Sequence, residues 1–153
     1  MTELKLYLDL CIYNRPFDDQ TQSRIALETN AFVYLLDKIE NGEYIAINSQ
    51  ILKYENRRNP DGDRRERVRS YLRLAKEDAK IDRDSIKRAE YLRKLKFGAL
   101  DALHLAVAEG AEVDYFITCD DRIMERAERH KEKLRVKVMS LLDFVAEEVK
   151  LWD

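Results

Sequence analysis

Hydrophobic residues along the chain follow two alternating periods. Segments in which every second residue is apolar, or which are short continuous apolar runs, predict β-strands at 4–10, 43–48, 113–119 and 136–140. Segments with apolar residues three or four positions apart predict helices at 21–40, after Asn48 or Ser49, from Val68 to Ala79, from Ile86 to Leu95, and at 99–109, 120–133 and 141–149. Strands and helices therefore alternate through most of the chain.

This alternation predicts an α/β fold with a mostly parallel sheet that is covered by helices on both faces. The chain has 153 residues, 45% of them hydrophobic, which suits a single domain over residues 1–153. In open parallel sheets, ligands bind outside the carboxyl ends of the strands. Side chains that follow the predicted strands are therefore the first candidates for a functional site.

Four acidic residues are predicted to meet at that edge. Asp9 follows the strand residues "LYL", and Asp120 comes just after "YFIT". Asp101 lies in the first turn of the helix before the third predicted strand, and Glu55 lies one to two turns into the helix after the second. The residues around Asp9, Asp101 and Asp120 are apolar, and charges are rarely placed in such sequence unless they are paired or bound to a metal.

Each acid also has a structural interpretation. Asp9 can simply begin a loop, and Asp120 or Asp121 can cap the following helix, Asp121 being the stronger candidate for that role. Asp101 can complement a helix dipole, and Glu55 can be a surface residue.

The residues around the three acids contain few basic side chains, so a divalent cation is the expected counter-charge. Carboxylate oxygens suit Mg²⁺ or Mn²⁺, held singly or as a pair about 4 Å apart, and such ions lower the pKa of water and stabilise phosphoryl displacement. The two cysteines and two histidines do not have the spacing of a zinc site or of a disulfide framework. His104, three residues after Asp101, is either a packed helix residue or a further ligand.

Charge is unevenly distributed along the chain. The segment 57–97 carries 15 Lys and Arg residues against 8 Asp and Glu residues, whereas the whole chain has a net charge of −2. This basic, predicted helical segment is either a solvated surface or a binding surface for phosphate groups. The candidate contacts, which follow soon after Glu55 and would border the metal pocket, are Arg57, Arg58, Arg64, Arg65, Arg67 and Arg69.

Taken in order, the pieces "LYLDLCIYNRPFDD", "INSQILKYE" and "LDALHLAVAEGAEVDYFITCDDRI", with the closing strand and helix, resemble the PIN-domain family. That family includes the toxin ribonucleases of VapBC-type toxin–antitoxin pairs. The resemblance covers nearly the whole chain. It implies a three-layer α/β/α sandwich with a central sheet of four or five strands, and Mg²⁺- or Mn²⁺-dependent cleavage of RNA.

The resemblance also assigns roles to residues. It implies that Asp9, Glu55, Asp101 and Asp120 are catalytic, with the three aspartates as metal ligands. A second group, Thr118 and Asp121, is implied as auxiliary. Cys11 departs from the family, which usually has a small polar residue two places after the first aspartate, and a thiol is a poorer partner for hydrated Mg²⁺.

Several functions remain open at this point. The main hypothesis is a metal-dependent endoribonuclease, and the alternative is a catalytically silent RNA-binding module with the same fold. A phosphatase with Asp9 as nucleophile lacks the second acid expected two places on, and a purely structural domain leaves the apolar setting of the acids unexplained. For a toxin, the partners would be RNA, a small antitoxin protein and a second copy of the chain.

The sequence gives no sign of a membrane segment. No apolar run approaches the roughly 18 residues that span a bilayer, and no basic region precedes the first apolar stretch. We therefore predict a cytoplasmic location.

Overall fold

The computed structural model describes residues 3–150, and in that range five strands alternate with eight helices. The strands are β1 (Leu4–Leu8), β2 (Tyr44–Ser49), β3 (Glu77–Ala79), β4 (Tyr115–Thr118) and β5 (Lys137–Ser140). The helices are α1 (Leu10–Asn14), α2 (Ser23–Glu40), α3 (Gln50–Arg57), α4 (Gly62–Leu72), α5 (Arg83–Lys94), α6 (Ala99–Gly110), α7 (Asp121–Arg129) and α8 (Leu141–Lys150). Short 3₁₀ turns occupy Arg15–Phe17 and Lys131–Lys133.

The five strands form one parallel sheet in the order β3-β2-β1-β4-β5. The chain builds outward from β1 through β2 to β3, and then returns to place β4 on the other side of β1. The boundary between β1 and β4 is therefore the point at which the winding direction reverses, where ligands bind in sheets of this kind. The α/β class and the mainly parallel sheet predicted from the sequence are confirmed.

The central strand is buried on both of its faces. Leu6, Tyr7 and Leu8 are consecutive, so their side chains point to opposite sides of the sheet, and each is 0% exposed. Helices must therefore cover both faces, as expected for a parallel sheet.

Two predicted elements are wrong at their ends. The first strand stops at Leu8 rather than at residue 10, because Leu10 already opens α1. The helix predicted to run to Ala79 ends at Leu72, and Glu77–Ala79 form the edge strand β3. β3 carries no hydrophobic period of its own and is a strand because it pairs with β2, so the basic segment 57–97 is not wholly helical.

The helix ends include one confirmed and one wrong prediction. Ser49 caps α3, because its Oγ accepts a hydrogen bond from Leu52 N at 3.1 Å. Asp120, and not Asp121, caps α7 by accepting from Arg122 N at 2.8 Å. In the part of the chain that the structure describes, no helix combines the length and apolarity required to cross a bilayer.

Candidate active site

Asp9 is fixed at the boundary between β1 and β4. Its backbone N–H donates to the carbonyl of Ile117 at 2.9 Å, which extends the pairing of the two strands by one residue. Asp9 Oδ1 accepts from Leu10 N at 2.9 Å, and Oδ2 accepts from the Thr118 hydroxyl at 2.7 Å. The Thr118 oxygen in turn accepts from Asp120 N at 3.0 Å. Thr118 thus ties together the residues that follow the two strands.

Asp101 faces this boundary from the first turn of α6. It shares a cavity of about 280 Å³ with Asp120. Burial raises the pKa of Asp101 to about 6, and the negative charges of Asp9 and Asp120 act in the same direction. Burial also raises the pKa of Asp9, which is 7% exposed. Asp9 and Glu55 do not line the cavity of Asp101 and Asp120, but the charges of both also raise the pKa of Asp101.

Glu55 is held by a buried chain of hydrogen bonds. Its carboxylate contacts His104 Nε2, and His104 Nδ1 lies 2.6 Å from the Tyr7 hydroxyl. The Tyr7 hydroxyl also lies 2.6 Å from Ser49 Oγ. His104 and Tyr7 are almost fully buried, and the Glu55 side chain is 26% exposed. This chain of hydrogen bonds runs from the cap of α3, through β1 and α6, back to α3.

The donors in this chain can be assigned from its two ends. Ser49 Oγ already accepts from the N–H of Leu52, so its own hydrogen is available for Tyr7. Tyr7 can then donate to Nδ1 of a neutral His104, which donates from Nε2 to ionised Glu55. Every group in this arrangement has a partner. Both nitrogens of His104 are therefore engaged within the protein, which the sequence did not indicate.

The basic side chains in the cavity of Asp101 and Asp120 are not among the six candidate arginines. The cavity that contains Asp101 and Asp120 is also lined by Lys96, Arg122 and Arg126. Arg122 and Arg126 are four residues apart on α7, and this spacing directly after "CDD" was a usable signal. The neighbouring acid Asp121 is exposed and forms a bidentate pair with Arg24, at 2.7 and 2.8 Å.

The six candidate arginines do not lie in the cavity of Asp101 and Asp120. Arg64 binds Asp18 at 2.9 Å and, like Arg67, lies against the Phe17 ring. Arg58 lies over the Tyr54 ring. The remaining three line a separate pocket formed by α3 and α4: Arg57, Arg65 and Arg69.

The two cysteines meet beside Asp9. Cys119 N lies 3.2 Å from Cys11 Sγ, and both thiols are free. Cys11 Sγ lies 3.5 Å from Asp9 Oδ2 and 3.7 Å from Thr118 Oγ1. Hydrogen bonding to Cys119 and burial raise the pKa of the Cys11 thiol well above its usual range. Cys11 thus occupies the place of the usual polar residue as a neutral thiol in contact with the first aspartate.

The donor chemistry of the site suits a hard divalent cation. Asp9, Asp101 and Asp120 offer carboxylate oxygens, and the pKa of Asp101 is raised by burial and, to a smaller extent, by the charges of the other two. Within residues 3–150, no group of three His, Cys, Asp or Glu side chains is arranged around a single ion position. Mg²⁺ commonly uses only one or two protein carboxylates and completes its shell with water, so the residues fit Mg²⁺ on chemical grounds.

Comparison with known proteins gives a match at the level of structure. No protein-family model matches the chain, and no curated protein matches it in sequence. A chain of VapBC2 from Rickettsia felis, crystallised bound to a DNA fragment from its promoter, matches with a TM-score of 0.54. The two chains are 12% identical, and the alignment covers 90% of this chain and 98% of the other.

The chain has a PIN-like fold. The resemblance deduced from the sequence motifs is thus confirmed in architecture, including a sheet of five strands within the predicted four or five. At 12% identity the likeness concerns the fold.

Proposed function

We propose that this protein is an endoribonuclease that hydrolyses RNA phosphodiesters with the help of Mg²⁺ or Mn²⁺. The observation that carries the proposal is the position of Asp9, Asp101 and Asp120 at the reversal point of the sheet, where Asp101 has a pKa of about 6. Carboxylates in such a position repel one another and protonate unless a cation keeps them ionised. A divalent ion removes this conflict.

Asp9, Asp101 and Asp120 would hold the metal, and Glu55 is the fourth proposed catalytic acid. A bound divalent ion lowers the pKa of a water molecule and stabilises charge on the phosphate oxygens. Thr118 keeps Asp9 in place through its 2.7 Å hydrogen bond, and His104 keeps Glu55 in place. In the hydrolysis, a water oxygen bonds to phosphorus as the bond from phosphorus to the leaving ribose oxygen breaks.

The basic residues of the cavity support a phosphate-bearing substrate. Lys96, Arg122 and Arg126 line the same cavity as Asp101 and Asp120, and guanidinium groups match the geometry of phosphate oxygens. These side chains would hold the strand on either side of the cleaved bond. Asp121, which is paired with Arg24, would act indirectly by fixing that arginine beside the site.

We further propose that the protein is the toxin of a toxin–antitoxin pair that acts in the cytoplasm. The structurally similar VapBC2 was crystallised bound to promoter DNA, which supports a small antitoxin protein as a partner. The fold is also compatible with a homodimer. An antitoxin would inhibit the enzyme most directly by placing a basic side chain among the acids.

The test is cleavage of a labelled, partly structured RNA and of a matched single-stranded DNA in Mg²⁺, in Mn²⁺ and in chelator. Asp120→Asn is the informative variant, because asparagine also caps helices well and the change removes mainly the charge. Asp143→Asn, on the exposed part of α8, is the matched control. We expect metal-dependent cleavage of RNA by the wild type and by the control, and none by Asp120→Asn.

The alternative is a catalytically silent RNA-binding module. The thiol at Cys11 favours it, because this neutral group replaces a hydroxyl or amide next to Asp9. Absence of cleavage in both metals, with RNA retention that Asp120→Asn leaves unchanged, would establish this alternative. If a Cys11→Asn variant gained cleavage, the Cys11 thiol would be the cause of the missing activity.

A further inference from the structure

A second charged pocket lies on the other side of the helix that carries Glu55. It has a volume of about 410 Å³ and lies between α3 and α4 beside the end of β2. None of the four proposed catalytic acids lines it. Its lining consists of five basic residues, one acid, two asparagines and a leucine: Lys53, Arg57, Arg65, Arg69, Arg73, Glu66, Asn48, Asn56 and Leu72.

The positive charge of this pocket is poorly balanced. Arg57 and Arg73 are exposed, and no side-chain hydrogen bond or ion pair holds either of them within residues 3–150. Arg69 reaches Glu66 only at 3.6 Å, with both side chains 61% exposed. Lys53 reaches Asp78 at 3.5 Å, also at the surface. The lining contains five basic residues against one acid, so the pocket keeps a net positive charge.

An unpartnered buried group lies in the same pocket. Asn56 is 4% exposed, and its Nδ2 donates to the carbonyl of Arg65 at 3.0 Å. That bond fixes the orientation of the amide, because only the nitrogen can donate. Within residues 3–150, Oδ1 is then an acceptor with no donor. Buried acceptors are nearly always satisfied, so we expect a bound water or a ligand hydroxyl to meet Oδ1.

We propose that this pocket binds a phosphate group of a single RNA strand, away from the cleavage site. This inference rests on the proposed function for the identity of the strand. The arginines supply forked donors that suit phosphate oxygens, and the volume is in the range of ligand pockets. Asn56 Oδ1 has almost no exposed surface, so the contacts to the phosphate come from the basic side chains that line the pocket.

The position of the pocket suggests a path for the RNA. Asn56 follows Glu55 directly on α3, so the same short helix presents a proposed catalytic acid and a residue of the basic pocket. A strand anchored between α3 and α4 can continue past Glu55 to the cavity of Asp101 and Asp120. The pocket therefore places Lys53 and Arg73 in RNA binding beside Arg57, Arg65 and Arg69.

The experiment measures binding of a fluorescent single-stranded RNA by anisotropy over a range of salt concentrations, in chelator. The test variant is Arg57→Gln with Arg73→Gln, whose side chains hold no ion pair within residues 3–150 that the change would break. The control is Arg129→Gln with Lys131→Gln, which removes the same charge from side chains that are 61% and 69% exposed. Thermal unfolding verifies that both double variants remain folded.

We expect the test variant to bind RNA more weakly than the wild type, whatever the RNA sequence. The slope of log affinity against log salt should fall by about 0.7, because the pocket binds one phosphate and each phosphate that the protein no longer neutralises accounts for ~0.7 of that slope. The control should keep the wild-type affinity and slope. An equal loss in both variants, or no loss in the test variant, would overturn the proposal. So would a wild type that binds no RNA.

Further outcomes distinguish RNA binding in this pocket from binding of an acidic peptide and from RNA cleavage. The proposal would be overturned in favour of an acidic protein segment if a labelled oligoglutamate peptide bound the pocket and the test variant kept the wild-type affinity for RNA. Because binding is measured without metal, it is independent of cleavage. Loss of RNA binding in the test variant alone would support the pocket even if the protein cut no RNA, and cleavage with unaltered binding would overturn only the pocket.

Discussion

Two sets of carboxylates in this protein have opposite surroundings. Glu28 and Glu109 are 2% and 9% exposed, and both are paired with arginines. Glu28 binds Arg15 at 2.7 Å and Arg24 at 3.2 Å. Glu109 accepts from Arg88 at 2.6 and 3.1 Å. Each of these acids has its counter-charge inside the protein.

The acids at the reversal point of the sheet have no such pairing within residues 3–150. Asp9 accepts hydrogen bonds only from a backbone N–H, a hydroxyl and a thiol, and its pKa is raised by burial. Asp101 has a pKa of about 6. The difference supports the proposal that the first set maintains the fold and that the second set is available for a ligand, because only the second set lacks a basic partner within residues 3–150.

Substitution of Asp9 is the sharpest way to test the second set. Asp9→Asn should lower RNA cleavage by at least about 100-fold, since loss of an outer partner of a metal ligand already costs roughly 10- to 100-fold. Stability should fall by only about 1 to 2 kcal/mol, because the asparagine NH2 group cannot accept the hydrogen bond from the Thr118 hydroxyl. Cleavage rates and urea unfolding of the same variant provide both measurements. Retained cleavage would remove Asp9 from the site.

For the first set, Glu28 and Glu109, we expect a substitution to lower stability rather than cleavage. Glu109→Gln should destabilise the fold by roughly 3 kcal/mol, because it leaves Arg88 largely buried without its charge partner. Urea unfolding gives the free energy, and Arg129→Gln, at an exposed pair, serves as a control with almost no effect. A loss of cleavage without a loss of stability would contradict the division into two sets.

Glu55 belongs to neither set, because its partner is His104 rather than an arginine. Tyr7→Phe removes the hydroxyl between Ser49 and His104, and should cost about 1 to 2 kcal/mol of stability. The matched control is Tyr13→Phe, because the Tyr13 hydroxyl is buried without a partner in the described part of the chain and its removal should cost nothing. Nitrogen NMR should show a shifted Nδ1 resonance of His104 in Tyr7→Phe alone, because Nδ1 loses its hydrogen-bond partner in that variant. Equal stability of the two variants would contradict the proposed hydrogen-bond chain.

The smallest expected effect is on the pH dependence of stability without metal. The folded protein keeps a proton on Asp101 up to a pKa of about 6, whereas the ordinary value is 3.8. Between these values the folded state binds more protons, so the contribution of Asp101 to stability falls as pH rises from about 4 to about 6 and is constant above that. The difference in unfolding free energy between wild type and Asp101→Asn, in chelator, should follow this curve. A pH-independent difference would contradict it.

The acids of the candidate site were predictable from the sequence because they interrupt apolar segments. The residues before Asp9 and Asp120 form strands, so the parallel sheet brings their ends together. The arginine partners of Glu28 and Glu109 are less visible, because Arg88 lies 21 residues from Glu109 along the chain. Sequence periodicity carries no information on which acidic side chain pairs with which basic side chain.

The sequence by itself determined the alternation of strands and helices, and with it the sheet edge at which Asp9, Asp101 and Asp120 meet. Only the tertiary structure decided that Glu77–Ala79 form a strand, because their pairing with β2 replaces the missing hydrophobic period. It also decided that His104 binds Glu55. Of the arginines in 57–73, it placed some in the pocket between α3 and α4 and others against the Phe17 ring. Local patterns determine secondary structure and burial, whereas the partners of polar side chains depend on contacts between distant segments.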